Sequence, residues 1–302
     1  MKISEYTRKI KDSLKDGSDY LKNVYDNHEL LFKSPLKYSG RRIISKLKLT
    51  PNLGLSILGV RGAGKSCLYL YLKQCCLHKN NSYLFPRDYD LPPSTIVDKI
   101  DKLKIETKEG YTITIDEGQD VTGDRISGFY KGAVENSNVI IYLIPSDKYE
   151  VDSEDIRKKI LAQLYLLYIF ILAKETNLKD EIDQLKNKME QEKEKTGEDK
   201  KKLDTFKSRL KLGTYIFIIL TRKDKTPTTT DKDIRKDIYD DSVIKDEKFH
   251  DFLFGRDAKV EFLDMIEMVK DNKLNLKPLD EMRHKLFGYI VEIIKKQKPY
   301  YI

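Results

Sequence analysis

Cysteine is scarce in this chain, with three among 302 residues, at positions 67, 75 and 76. They contain no C-x-x-C pair, and the adjacent Cys75 and Cys76 point to different faces of any helix. Neither a disulfide framework nor a structural zinc site fits that usage, so a reducing, cytoplasmic compartment is expected. Long apolar runs are missing as well. The best candidate, Ile160 to Ala173, is short of the roughly 20 residues needed to cross a bilayer, and reads as a buried core helix. Lys2, Glu5 and Arg8 interrupt any apolar leader, Lys2 excludes N-myristoylation, and the final Pro-Tyr-Tyr-Ile offers no prenylation cysteine. Cytoplasmic placement is therefore expected, with peripheral contact to a membrane as an option.

Charge is plentiful and nearly balanced: 57 Lys and Arg against 49 Asp and Glu, a surplus of eight positive charges. Charged residues make up 35% and hydrophobic residues 39%, which fits one core carrying long solvated helices. The surplus admits an anionic partner without naming one. It is densest at 33–48, where Lys33, Lys37, Arg41, Arg42, Lys46 and Lys48 appear without an acid. An acidic surface is the partner expected there, be it lipid head groups, nucleic acid or protein.

The most informative stretch is Gly59-Val60-Arg61-Gly62-Ala63-Gly64-Lys65-Ser66, which has the form G-x-x-x-x-G-K-[ST]. Its glycines let backbone N–H groups wrap a polyphosphate. Lys65 is expected to reach the β- and γ-phosphates, and Ser66 to ligate Mg²⁺. The apolar Leu53 to Leu58 reads as a strand entering the loop. Ser66 to His78 reads as a helix leaving it, which adds Cys67 to the nucleotide-binding set and aims a helix N-terminus at phosphate.

Further apolar runs at 103–105, 111–115, 139–144 and 215–220 alternate with helical patterns. They predict a three-layer α/β nucleotide-binding domain with a mostly parallel sheet. Residues 175–211 interrupt the alternation. Leu178, Ile182, Leu185 and Met189, then Leu203, Phe206 and Leu210, have coiled-coil spacing about a turn at Gly197, so an inserted helical hairpin able to dock a partner is expected. The expected organisation is a basic helical extension over 1–52, a nucleotide-binding domain over 53–174 and 212–270, the hairpin at 175–211, and a C-terminal helical extension over 271–302. A flexible loop is expected over 223–248.

Asp116 follows the strand Tyr111 to Ile115 and is placed to support Mg²⁺, and Glu117, Gly118 and Gln119 come next. A backbone N–H at Gly118 and the amide of Gln119 would then meet the γ-phosphate and an attacking water. Thr95, in a Pro-Pro-Ser-Thr-Ile segment, is the candidate to complete the metal shell. The strand at 215–220 runs into Thr221-Arg222-Lys223-Asp224. A carboxylate there accepts two hydrogen bonds from guanine, a donor pair that adenine lacks.

In these motifs and their order the chain resembles the small GTP-binding proteins of the Ras superfamily, nearest to the Arf-like branch. The resemblance implies bound GTP or GDP with Mg²⁺, and hydrolysis with Gln119 orienting the water. It implies base contacts from Thr221, Arg222 and Asp224, and from Ala258 and Lys259 of an Asp257-Ala258-Lys259 segment. It also implies nucleotide-controlled loops around Thr95 and Gly118 that signal to a protein partner. The chain departs from the family in four ways. One residue, not two, separates Asp116 from Gly118; Thr221 and Arg222 stand for Asn and Lys; the first-switch loop around Thr95 is longer than usual; and the hairpin is additional. Turnover is accordingly expected to be slow, with Arg61 as the candidate for charge stabilisation.

Two alternatives remain open at this stage. One is a helicase-like ATPase in which Asp116 binds metal, Glu117 acts as base and Ser146 is a polar sensor. The other is a nucleotide-gated interaction module without significant turnover.

Overall fold

The computed structural model describes residues 53–60, 62–77, 103–106, 112–115, 126–147, 153–191, 197–222, 236, 238, 246–255, 258–270 and 273–295. Six strands form one sheet: β1 (Leu53–Gly59), β2 (Leu103–Glu106), β3 (Thr112–Ile115), β4 (Val139–Pro145), β5 (Tyr215–Thr221) and β6 (Val260–Ile266). Their order across the sheet is β2-β3-β1-β4-β5-β6. All neighbours are parallel except β2, which pairs antiparallel to β3 at one edge.

Parallel strands this deep are apolar on both faces, and each successive side chain serves a different layer. All seven residues of β4 are buried. Ile140, Tyr142 and Ile144 join one core with Ile216, Ile218 and Leu220 of β5. Val139, Ile141 and Leu143 join the other with Phe217 and Ile219.

Helices cover both faces. α1 (Lys65–Leu77) and α6 (Leu276–Lys295) lie on the second core, with Leu68, Tyr71 and Leu72 from one and Leu279, Leu286 and Ile290 from the other. α2 (Ile126–Asn136), α3 (Ser153–Gln191) and α5 (Glu247–Phe254) lie on the first. The apolar run of α3 is buried on every side from Ile160 to Ile171. Among the described residues no helix is long and apolar enough to cross a membrane. A two-stranded ribbon, β7 (Val269–Lys270) with β8 (Lys273–Leu274), links β6 to α6.

α3 continues past the sheet and packs against α4 (Gly197–Leu212). Leu178, Ile182 and Leu203 are buried between them. Lys188 of α3 meets Asp199 of α4 near the connection at 3.5 Å. Residues 153–191 are therefore one helix serving both core and hairpin, with no break at 174.

Two other differences from the sequence reading concern tertiary packing. α6 is not an appendage, because its apolar stripe closes one face of the sheet. Its start is tied to α1, where Tyr71 Oη donates to Asp280 and the Arg283 guanidinium lies over the Tyr71 ring, 5.9 Å from its centre. In the stretch read as a loop over 223–248, Lys236 and Ile238 have helical backbone and Ile238 is buried in the first core. Asp246 there caps α5, accepting from Lys248 N at 3.0 Å and Phe249 N at 3.3 Å.

Candidate nucleotide-binding site

The loop 59–65 leaves the C-terminal end of β1, and the strand order places that end at a reversal point. The chain leaves β1 for β2 and β3 on one side, then returns to β4 on the other. Crevices at such switch points, outside the carboxyl ends of parallel strands, are where open α/β sheets bind ligands.

The loop's backbone requires glycine. Gly59 has φ 140°, and a Cβ there would lie 2.3 Å from the Leu143 carbonyl oxygen of β4. Gly64 has φ 89°, a conformation in which L side chains are strained. The turn closes when Ala63 N donates to Val60 O at 3.2 Å, and α1 starts when Leu68 N donates to Gly64 O at 3.0 Å. No acidic residue occupies the first turn of α1, so no carboxylate of that turn competes for its positive end.

Lys65 is buried, and its Nζ donates to Gly59 O and Val60 O, each at 3.0 Å. The ammonium thus braces the loop it belongs to. Ser66 follows at the start of α1, half-buried. Cys67, in the same turn, has its thiol pushed up in pKa by burial, against the opposing effects of its own backbone hydrogen bond and the Arg222 charge.

The end of β5 holds the loop from the other side. Thr221 Oγ1 lies 3.1 Å from Ala63 O and 3.4 Å from Ile144 O, a donor shared between the phosphate loop and β4. Arg222 donates from Nη2 to Gly62 O at 2.7 Å, and its Nη1 pairs with Asp147 Oδ2 just beyond β4. Arg222 sits at φ 63°, the one non-glycine residue with positive φ among those described. That backbone costs about 1–2 kcal/mol and persists only where contacts hold it. Ser146 Oγ donates to Thr221 O at 2.6 Å and lies 3.3 Å from Arg222 O, so the proposed sensor is engaged in joining the ends of β4 and β5.

The structure therefore brings together Gly59, Val60, Gly62, Ala63, Gly64, Lys65, Ser66, Cys67, Thr221 and Arg222. Arg61, Thr95, Asp116, Glu117, Gly118, Gln119 and Asp224 lie outside the described residues. Ile115, next to Asp116 in the chain, is level with Leu55 of β1.

Ala258 and Lys259 do not belong to this site. They precede β6, and Ile216 N at the start of β5 donates to Lys259 O at 2.8 Å. Lys259 is paired there with Glu175 of α3. A strand of seven residues separates that end from Thr221, about 20 Å away. The Asp-Ala-Lys match failed because it precedes a strand, whereas ligand contacts in a parallel sheet follow one.

The residues that do follow β6 were not anticipated. Thr221 is level with Ile266, and the Met268 sulfur lies 3.2 Å from where a Cβ on Gly64 would be. Asp147 was also missed. Its signal was its place just after an apolar parallel strand, where polar side chains reach the carboxyl-end crevice.

No family model and no curated protein matches the chain. Among solved structures, it is similar to the signal recognition particle receptor SRb-GTP/SRX complex from Chaetomium thermophilum. That match has 12% identity, covers 74% of this chain and 93% of that one, and has a TM-score of 0.42. It is also similar to Methanosarcina barkeri Roco2 RocCORdC bound to GDP, at 12% identity and TM-score 0.38, covering 82% of this chain and 50% of that one.

Proposed function

We propose that this chain is a GTP-binding protein of small-GTPase type, which hydrolyses GTP slowly and uses the loops around Thr95 and Gly118 to control a protein partner. The observation that carries the reading is the bond from Thr221 to Ala63 O. It fastens the start of Thr221-Arg222-Lys223-Asp224 to the phosphate loop, as one site for base and phosphates would require. Topology supports the same reading. β1, which bears the phosphate loop, and β3, which leads to Asp116, are direct parallel neighbours, so their carboxyl ends face one crevice.

The loop's backbone N–H groups and Lys65 bind the β- and γ-phosphates, and Asp224 accepts from guanine N1 and N2. Gln119, or Glu117 in its place, orients water in line with the γ-phosphate. Mg²⁺ fits the donor set, which is all oxygen: the Ser66 and Thr95 hydroxyls and the Asp116 carboxylate would hold it. When bound, it supplies neutralisation of charge on the β- and γ-phosphates. The partner surface is assigned to the two loops or to the hairpin, and the basic 33–48 segment would meet an acidic surface.

Nucleotide competition tests the base assignment. Asp224→Asn should weaken GTP binding at least tenfold and improve binding of xanthosine triphosphate, since that base carries a carbonyl oxygen in place of the guanine 2-amino group and accepts from the new amide. ATP binding tighter than GTP, or an unchanged preference in Asp224→Asn, would overturn it.

A further inference from the structure

Arg222 occupies the place where the resemblance would have a lysine lying over the base. Its guanidinium is directed elsewhere, with one nitrogen on the Gly62 carbonyl of the phosphate loop and another on Asp147. A planar fork with several fixed donors reaches these two acceptors with separate nitrogens. The Asp147 side chain is mostly buried, and its Oδ1 atom is enclosed with no hydrogen-bond partner among the described residues. The carboxylate thus relies on Arg222 to offset the cost of its burial. The left-handed backbone of Arg222 is further evidence that the contact matters, because nothing intrinsic to arginine favours it.

We propose that Arg222 is a positioning residue for the phosphate loop, with Asp147 holding its guanidinium on the Gly62 carbonyl. The Asp147–Arg222–Gly62 chain fixes the loop in its anion-binding shape before ligand arrives. Arg222 therefore governs affinity for the phosphates and not for the base. This rests on the nucleotide-binding reading above.

The test uses the full chain and titrates guanosine, GDP and GTP into wild type and variants, with thermal unfolding of each variant as a control. Arg222→Gly removes the guanidinium while relieving the positive φ, which separates the contact from the backbone strain. It should lose about tenfold or more in affinity for GDP and GTP, with guanosine affinity changed less than about twofold. Arg222→Lys, keeping charge without the fork, should fall between wild type and Arg222→Gly. Asp147→Asn should weaken the same two ligands, and should add no further loss in an Arg222→Gly background.

Equal loss for guanosine and GDP would assign Arg222 to the base and overturn the proposal. Additive losses in the double variant would show that Asp147 does not act through Arg222. Nucleotide affinities unchanged from wild type would overturn the inference and leave the nucleotide-binding reading standing. Wild type that binds no nucleotide would overturn both.

Discussion

Individual residues in this structure are held to narrow tolerances, and the two ends of the sheet use them differently. At the carboxyl end, Gly59 packs so closely on the Leu143 carbonyl that no side chain fits. At the amino end, Lys174 is buried and donates to Val134 O and Ser137 O, each at 2.8 Å, and to Thr214 Oγ1 at 3.0 Å. Glu135 lies nearby on α2 with its Oε1 buried and without a hydrogen-bond partner among the described residues. Burial raises its carboxyl pKa, outweighing the attraction of Lys131 and Lys174. A raised native pKa means that the folded state keeps a proton that the unfolded chain has released. Stability then falls as pH rises from the ordinary glutamate value toward the native one, and the cost is complete above it. Glu135→Gln should therefore raise the Tm at pH 7, and the gain should shrink as pH falls through the raised native value and be lost below the ordinary value of 4.5. A Tm difference independent of pH would show that the carboxylate charge is not the cause.

At the scale of elements, α6 distinguishes what sequence and packing each reveal. Its amphipathic spacing was legible, but its place was not, because nothing local says which surface an apolar stripe will cover. Leu286 is fully buried among β-strand and α1 side chains. Leu286→Ala should cost about 2–5 kcal/mol, read from denaturant midpoints. A cost below about 1 kcal/mol would fit a detached extension instead. The strands β1, β3, β4 and β5 were legible because each is an apolar run closed by a turn or a motif. β6 was not, since Glu261 and Asp264 break up its apolar run and it has the mixed appearance of an edge strand. α3 was split at 174 in the sequence reading because its pattern changes there from all-round apolar to a narrow stripe. The helix itself continues, and only its surroundings change from core to hairpin.

For the whole molecule, the direction of the sheet decides which motifs share a site. Loops after β1, β4, β5 and β6 gather at one end, and the register levels Gly59 with Leu143 and Thr221 with both Pro145 and Ile266. The phosphate loop and Thr221-Arg222 were legible in sequence because each comes at the end of its strand, whereas the hydrogen bonds that tie them together depend on packing and were not. Lys259 was misread because the apolar run before its motif, Phe249 to Phe254, is helix α5, while its strand comes after it. Lys259→Ala should accordingly leave nucleotide affinity within about twofold of wild type, while loosening the Glu175 contact that joins α3 to the start of β6. An affinity loss as large as that of Asp224→Asn would return Lys259 to the site. Gly59 to Ser66 is the segment assigned to bind a nucleoside triphosphate, and that binding depends most on Lys65. Titration of fluorescent GTP with Mg²⁺ into wild type and Lys65→Ala tests it most directly. Saturable binding by wild type that is lost in Lys65→Ala is the predicted result, and equal affinity in the two proteins would contradict it.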